Sequence, residues 1–267
     1  MGAVVRAVGV VDSRRRHFYG KGNHDDFAVG NDPCQDELML EQSDKEPGRK
    51  VQLLEVAVFL FLIVPSMAVS FLTVRQVGLS FMQVAVSSIL NNLALLSLVF
   101  YFIWRNEEPV RRVGWNFDHL GRDIAWALIL FVPVFLGGNL LESVLQQAGF
   151  SAPSRRPSFF DVSGLTQVWG AFLVVIVVAV VEETIFRGYL ILRLKTVIGR
   201  TSAAVVLASL IFSLGHGYQG TAGAITVFIL GVIFALIYLW RGSLVAPMVI
   251  HFLIDFTSIV LPALLQP

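Results

Sequence analysis

The sequence predicts an all-α protein: a polytopic bundle of about seven transmembrane helices that follows a polar amino-terminal tail. Of its 267 residues, 55% are hydrophobic and only 15% are charged, and the mean hydropathy is +0.72, which is far from the balance of a soluble domain. Apolar runs recur along the chain near the length of about 20 residues that a helix needs to cross a bilayer. These observations indicate a membrane protein.

The charged residues are concentrated at the start of the chain. We therefore divide the chain into a polar, mobile tail in the cytosol, residues 1–50, and a transmembrane helical domain, residues 51–267. The net charge of +1 argues against a nucleic-acid partner, because there is no basic surface to neutralise phosphates. The single cysteine, Cys34, excludes an internal disulfide and a thiolate metal cluster.

Seven apolar stretches come near the membrane-spanning length. The predicted spans are 52–74, 83–104, 123–145, 166–190, 201–217, 221–240 and 243–261. Lys and Arg concentrate in cytoplasmic loops, and eleven of them lie in the segments on one side of this arrangement against three on the other. The sequence thus predicts a multi-pass protein of the cell membrane, with its amino terminus in the cytosol and its carboxyl terminus outside.

Three ionisable residues stand inside the apolar run that ends in VVEETIFRGYL: Glu182, Glu183 and Arg187. Each costs about 2.5–3.5 kcal/mol at the centre of a membrane helix, so they must face protein or water. Glu183 and Arg187 are four residues apart and share a helix face, where they can neutralise each other. Glu182 is rotated by about 100° from Glu183. We expect one carboxylate to be structural and the other to be available for chemistry, and an ion pair that only anchors the helix is the alternative.

Two further polar pairs follow in later apolar segments. In IFSLGHGYQG, Phe212 and His216 are one turn apart, and in PMVIHFLIDF, His251 and Asp255 are four residues apart on one helix face. Taken alone, a histidine such as His216 near a helix end is more often an interfacial or hydrogen-bonded core residue than a catalyst, and the pair of His251 and Asp255 is equally explained by a buried hydrogen bond that joins helices. Together with Glu182, they would form a polar pocket between the cytosolic side and the midplane. General acid and base hydrolysis needs such a combination of carboxylate and imidazole groups in a dry site.

The patterns E-E-x-x-x-R, F-x-x-x-H and H-x-x-x-D follow one another in this order on successive predicted helices. The chain thereby resembles the CAAX protease and bacteriocin-processing family, also called CPBP or Abi, which is related to the type II CAAX prenyl endopeptidase. The resemblance covers about residues 160–260. It implies an intramembrane endopeptidase that hydrolyses a peptide bond in a membrane-associated or lipidated polypeptide, so that its partners are the lipid bilayer and a peptide substrate.

The resemblance also implies a role for each matching residue. Glu182 would activate water, with His216 as its partner. His251 and Asp255 would line the oxyanion side. The residues expected to hold the shape of the site are Glu183, Arg187 and Phe212. The prenyl endopeptidase has Asn at the last position, and an ionised Asp255 would repel an oxyanion, so it would be either protonated or a partner that orients His251.

No cofactor is predicted, but zinc stays an open alternative. One Glu and two His are the ligand set of some catalytic zinc sites, and the ligands would then be Glu182, His216 and His251. The metal-free mechanism is favoured because the chain lacks the H-E-x-x-H and H-x-x-x-H spacings that place two ligands on one helix.

Two other functions stay open at this level. The first is a non-catalytic membrane scaffold, or an immunity or assembly protein, that binds a partner in the same polar pocket. The second is a proton-coupled transporter with Glu182 and Asp255 as a relay. The absence of an internal sequence repeat disfavours the transporter, since the halves of many transporters mirror each other.

Overall fold

The computed structural model of the protein describes residues 47–73, 80–152 and 162–265, and the side chains of 65–73 lie outside the description. The tail predicted for residues 1–50 lies, apart from its last four residues, outside these ranges. The described residues form helices and no strands, which confirms the predicted all-α class.

The described α-helices are α1 (Arg49–Thr73), α2 (Phe81–Arg105), α3 (Leu120–Gln147), α4 (Leu165–Glu183), α5 (Ile191–Ile198), α6 (Thr201–Leu214), α7 (Gly220–Arg241), α8 (Val245–Asp255) and α9 (Leu261–Leu264). Two π-helical segments continue α4 and α8 without a break: Thr184–Leu190 and Phe256–Val260. Short 3₁₀ turns occupy Val110–Val113 and Gly217–Gln219.

Five helical stretches of the described chain are long and apolar enough to cross a membrane. They are Phe81–Arg105, Leu120–Gln147, Leu165–Ile198, Gly217–Arg241 and Val245–Leu264. They coincide with five of the seven predicted spans and confirm a multi-pass helical membrane protein. The fifth predicted span corresponds to α6, an apolar helix of 14 residues, and the first corresponds to α1. The total of seven spans stays a prediction.

Helix ends in this bundle follow local sequence signals. Before α2, Ser80 and Gln83 form a capping box in which each side chain bonds the backbone of the other, so that two of the unpaired N–H groups at the helix start are satisfied. The helix α6 ends at Leu214, between the apolar run and a turn with two glycines, which are poor helix formers. His216 therefore lies just beyond α6, whereas the predicted span extended to residue 217.

Two apolar cores enclose the polar residues of interest. The larger one joins α1, α2, the first π-helical segment and α6, and in it the ring of Tyr189 lies 5.9 Å from Phe59 and 6.2 Å from Phe102. The smaller one joins α3, α7 and α8 around Phe234 and Ile250. The carboxyl end of α4, the end of α6 and the middle of α8 meet between them, and these elements carry the side chains described next.

Candidate active site

The three acidic residues predicted for the site all stand where an α-helix changes to a π-helical segment. Glu182 and Glu183 are the last two residues of α4, and Asp255 is the last residue of α8. The hydroxyl of Thr184 donates to the carbonyl of Val180 at 2.7 Å. Insertions of π geometry into α-helices are frequent at functional sites, because one wider turn changes the direction of the side chains around it.

Glu183 is completely buried, and one of its carboxylate oxygens contacts two basic side chains. Arg187 Nη1 donates to Glu183 Oε1 at 2.8 Å, and His251 Nδ1 lies 2.8 Å from the same oxygen. An ionised carboxylate can only accept hydrogen bonds, so the Nδ1–H of His251 is the donor. The guanidinium of Arg187 also lies 4.2 Å from the ring centre of Phe212 and 5.2 Å from that of Phe234, within cation–π range. Glu183 therefore orients both the arginine and the imidazole.

Glu182 differs from its neighbour because it has no comparable partner. Its Oε2 atom is buried and makes no hydrogen bond to the described residues, while the side chain as a whole keeps 21% of its surface exposed. This oxygen lies 3.9 Å from His251 Nε2, and Asp255 Oδ2 lies 3.5 Å from the same nitrogen. The outer nitrogen of His251 thus faces two partly accessible carboxyl groups.

His216 joins this group through the aromatic ring of Phe212. That ring lies 4.8 Å from the His216 ring and 6.2 Å from the His251 ring, between ring centres. His216 Nδ1 lies 3.1 Å from the carbonyl oxygen of Phe212. A carbonyl accepts hydrogen bonds, so Nδ1 carries the hydrogen and Nε2 of a neutral imidazole is an acceptor. In the described part of the chain, no hydrogen bond or ion pair joins His216 directly to Glu182.

Two aromatic residues that the sequence analysis missed also belong to this region. Phe234 on α7 packs against the imidazole of His251, with 5.8 Å between ring centres. The ring of Tyr218 lies 6.1 Å from that of His216. Tyr218 follows the histidine in the polar turn GHGYQG, and this position was the available signal. The sequence contained no such signal for Phe234, because this residue lies in a uniformly apolar helix.

A second group of buried charges, which we call the anchor cluster, comprises Glu55, Glu108, Tyr189 and Arg193. Arg193 is fully buried and donates through Nη1 to Glu108 Oε1 at 2.9 Å, while its Nε lies 3.1 Å from Glu55 Oε2. The hydroxyl of Tyr189 donates to the same Glu55 oxygen at 3.0 Å. This cluster was not predicted from the sequence, although Glu55 in the apolar run LLEVAVFLF was a signal.

The zinc alternative requires three ligand atoms at about 2.0–2.2 Å from one point. Among the described residues, no three His, Cys, Asp or Glu side chains are arranged as such a metal-ligand group. As placed, the described side chains do not form a three-ligand zinc site, and the metal-free mechanism stays a prediction.

Residues 164–257 match the family model described as Rce1-like, type II CAAX prenyl endopeptidase Rce1-like. This match runs from the start of α4 into the second π-helical segment and confirms the resemblance predicted from the three motifs. Comparisons with curated proteins and with solved structures found no match.

Proposed function

We propose, from the premise that residues 164–257 are an Rce1-like domain of a CAAX protease family, that this protein is an intramembrane endopeptidase. The proposed reaction is hydrolysis of a peptide bond in a membrane-associated or lipidated polypeptide. The family supports a protease in general, and the apolar helices support a site inside the bilayer.

The proposal rests on the surroundings of the Glu182 carboxylate. Its Oε2, which makes no hydrogen bond to the described residues, lies 3.9 Å from His251 Nε2, so one water molecule can hydrogen-bond to both atoms at about 2.8 Å. In the proposed mechanism, Glu182 takes a proton from this water as the oxygen attacks the peptide carbonyl carbon. The electron pair of the C=O bond moves to its oxygen. When the C–N bond breaks, the proton passes to the leaving amine.

The neighbouring side chains would position this reaction. Glu183 and Arg187 would fix the ring of His251 through the bonds to Glu183 Oε1. The Nε2 of His216 would accept or return a proton at the opposite side of Phe212. Asp255, 3.5 Å from His251 Nε2, would stabilise the protonated imidazole, which can then face the developing oxyanion. We propose a metal-free glutamate mechanism with these residues.

The proposed placement in the membrane follows from the loop charges. The amino terminus would face the cytosol and the carboxyl terminus the outside, because the basic segments around Arg105, Arg122, Arg200 and Arg241 would then be cytoplasmic. Substrate would reach the carboxyl end of α4 from that side.

A cleavage assay in proteoliposomes tests the proposal. The substrates are an internally quenched farnesylated CAAX peptide and the same peptide without the farnesyl group, each measured with and without a chelator. We expect wild-type protein to cleave in both conditions and Glu182→Gln to lose about 10²–10⁴-fold in rate, the usual contribution of a general base. Glu107→Gln, which alters an exposed carboxylate in the loop after α2, is the matched control and should keep the wild-type rate.

The same variants can be compared in cells without knowledge of the substrate. Peptide termini in membranes that contain wild-type protein should include some that are missing with Glu182→Gln. Loss of cleavage in chelator would contradict the metal-free mechanism. If neither assay shows cleavage, and Glu182→Gln instead releases a bound partner, the protein is a scaffold rather than a protease.

A further inference from the structure

The loop between α2 and α3, residues 106–119, sends one side chain to the end of α4. Trp115 Nε1 donates to Thr184 Oγ1 at 3.2 Å, and the hydroxyl of Thr184 donates in turn to the carbonyl of Val180 at 2.7 Å. Thr184 is fully buried and directly follows Glu183. Two successive hydrogen bonds therefore join this loop to the turn of α4 that carries both glutamates of the candidate site.

The hydroxyl of Thr184 lies where the hydrogen-bond pattern of the helix changes. The amide N–H of Thr184 is shared between the carbonyls of Val180 and Val181, and Thr184 is the first residue of the π-helical segment. A threonine hydroxyl that bonds the carbonyl four residues earlier often bends its helix. The Thr184 hydroxyl therefore contributes to the direction in which Glu182 and Glu183 point.

The same loop is bonded to the turn before α8. The amide N–H of Leu244 donates to the carbonyl of Gly114 at 2.9 Å, and the hydroxyl of Ser243 donates to the carbonyl of Asn116 at 2.9 Å. Both residues that flank Trp115 are thus fastened to the start of α8. The loop therefore links the two helices whose side chains face each other in the candidate site.

The indole ring of Trp115 is held in place by two further aromatic rings. Its centre lies 5.5 Å from that of Phe100 and 6.0 Å from that of Phe117, both in edge-to-face arrangements, which are favourable for aromatic pairs. The indole N–H is a donor only, and Thr184 Oγ1 is its acceptor. All three rings lie outside residues 164–257, the part of the chain that matches the family model.

We propose that Trp115 is a positioning residue of the candidate active site, which acts through Thr184 on the last turn of α4. The inference rests on the proposed function of that site. In that turn, Glu183 Oε1 lies 2.8 Å from His251 Nδ1, and Glu182 Oε2 lies 3.9 Å from His251 Nε2. A displacement of the turn changes both distances, and a misplacement of about 1 Å can cost about 10²-fold in rate.

The first test measures kcat and KM of the full-length protein in proteoliposomes, with the quenched peptide that the wild-type protein cleaves. Trp115→Phe keeps an aromatic ring beside Phe100 and removes the indole N–H. We expect kcat to fall about 10–10²-fold, because the reacting groups are misplaced. KM should stay within about twofold, because the bond lost is not one to the bound peptide.

Variants of Thr184 test the other end of the same bond. Thr184→Val keeps the shape of the side chain and removes the hydroxyl, so kcat should fall at least as far as in Trp115→Phe. Thr184→Ser keeps the hydroxyl and should retain a kcat near the wild-type value. In the double variant of Trp115→Phe and Thr184→Val, kcat should equal that of Thr184→Val alone, because the two residues act through one interaction.

Two controls separate positioning from a general loss of stability. Ile103→Val removes one buried methyl group from α2, and such a change destabilises a protein about as much as the loss of one hydrogen bond. It should lower the thermal unfolding temperature as Trp115→Phe does, but leave kcat unchanged. Trp104→Phe alters a residue that is 75% exposed and should change neither quantity.

A spectroscopic measurement tests the hydrogen bond without any substrate. The chain has five tryptophans, and the ¹⁵N–H indole signal that is missing from Trp115→Phe protein in micelles belongs to Trp115. In the wild-type protein, this N–H should exchange with D₂O more slowly than that of Trp104. In Thr184→Val, its signal should shift and its exchange should become faster.

The outcomes distinguish the positioning role from the proposed function. If Trp115→Phe retains the wild-type kcat while Glu182→Gln is inactive, the proposed function stands and the role of Trp115 is wrong. Equal losses of kcat in Trp115→Phe and Ile103→Val, or an indole N–H of Trp115 that exchanges as fast as that of Trp104, also overturn the role. If the wild-type protein cleaves no peptide although the indole N–H is protected, the proposed function fails, and the bond is structural only.

Discussion

Two buried charge clusters lie along the same helical stretch, Leu165–Ile198. The two clusters differ in how many of their carboxylate oxygens have a hydrogen-bond partner. In the anchor cluster, every carboxylate oxygen has a partner. Arg193 binds both oxygens of Glu108, and Glu55 accepts from Tyr189 on one oxygen and from Arg105 on the other. This cluster joins α1, the loop after α2 and α5 into one unit.

The candidate active site contains more carboxylates than permanent cations. Glu182, Glu183 and Asp255 surround His251, and the guanidinium of Arg187 pairs with Glu183. Glu182 Oε2 and Glu183 Oε2 are buried without a hydrogen-bond partner among the described residues. Buried polar groups are usually paired, and exceptions need an explanation such as a catalytic role. The comparison indicates that the anchor cluster stabilises the bundle, whereas the candidate site leaves hydrogen-bonding capacity for water and substrate.

The largest expected effect on stability is at Arg193. Arg193→Met leaves Glu55 and Glu108 as buried charges without their central partner, which typically costs about 3–5 kcal/mol. We expect a loss of that size in the free energy of unfolding, measured by titration of mixed micelles with dodecyl sulfate.

Arg111→Met is the matched control for that change. Arg111 pairs with Asp118, but its side chain is 64% exposed, and such surface pairs contribute about 0–1 kcal/mol. Replacing Glu55, Glu108 and Arg193 together by Met should recover much of the stability, since buried ion pairs can be replaced by apolar groups at little cost. Equal effects of Arg193→Met and Arg111→Met would show that the anchor cluster does not stabilise the fold.

An intermediate effect is expected at Gly188, between the two clusters. A Cβ atom there would overlap the carbonyl oxygen of Val113 and would lie 3.2 Å from Leu244 Cδ1. Gly188→Ala must therefore displace the π-helical segment, at a cost of about 1–3 kcal/mol for overpacking. Because that segment carries Arg187, activity should fall as well.

Gly137→Ala is the control for this substitution. Gly137 lies in the interior of α3, and no neighbouring atom of the described residues lies within 4 Å of a Cβ built there, so Ala should stabilise the helix by about 0.5–1 kcal/mol. Thermal unfolding in detergent measures both variants. A Gly188→Ala protein as stable and active as the wild type would show that the first π-helical segment tolerates displacement.

The smallest expected effect on stability is at Glu182, where the effect on activity is largest. Its Oε2 makes no hydrogen bond to the described residues, and the neutral amide of Glu182→Gln removes a charge beside Glu183 and Asp255. We expect the free energy of unfolding to stay within about 1 kcal/mol of the wild-type value.

Substitution of the adjacent glutamate, Glu183, should lower the stability much more than substitution of Glu182. Glu183→Gln removes the charge that binds Arg187 and His251 and leaves a buried guanidinium without its partner, which should cost about 3–5 kcal/mol. The same unfolding titration compares the two variants. If Glu182→Gln is the more destabilising one, Glu182 has a structural role and the assignment of the two glutamates must be exchanged.

Much of the fold was predictable because its signals are local. The apolar runs predicted five spans that the structure shows as long apolar helices. The motif trio predicted the protease family that residues 164–257 match. The predicted fifth span ended three residues beyond the end of α6 at Leu214, because glycines, which are poor helix formers, follow the apolar run there.

The sequence by itself determined which residues can pair within a helix, because the helical period places residues four apart on one face. That period accounts for Glu183 with Arg187 and for His251 with Asp255. Only the tertiary structure decided which glutamate bonds His251, and that Glu55 and Glu108 neutralise Arg193. These partners come from segments 68, 138 and 85 residues apart, so helix packing and the π-helical segments, rather than any local pattern, bring them together.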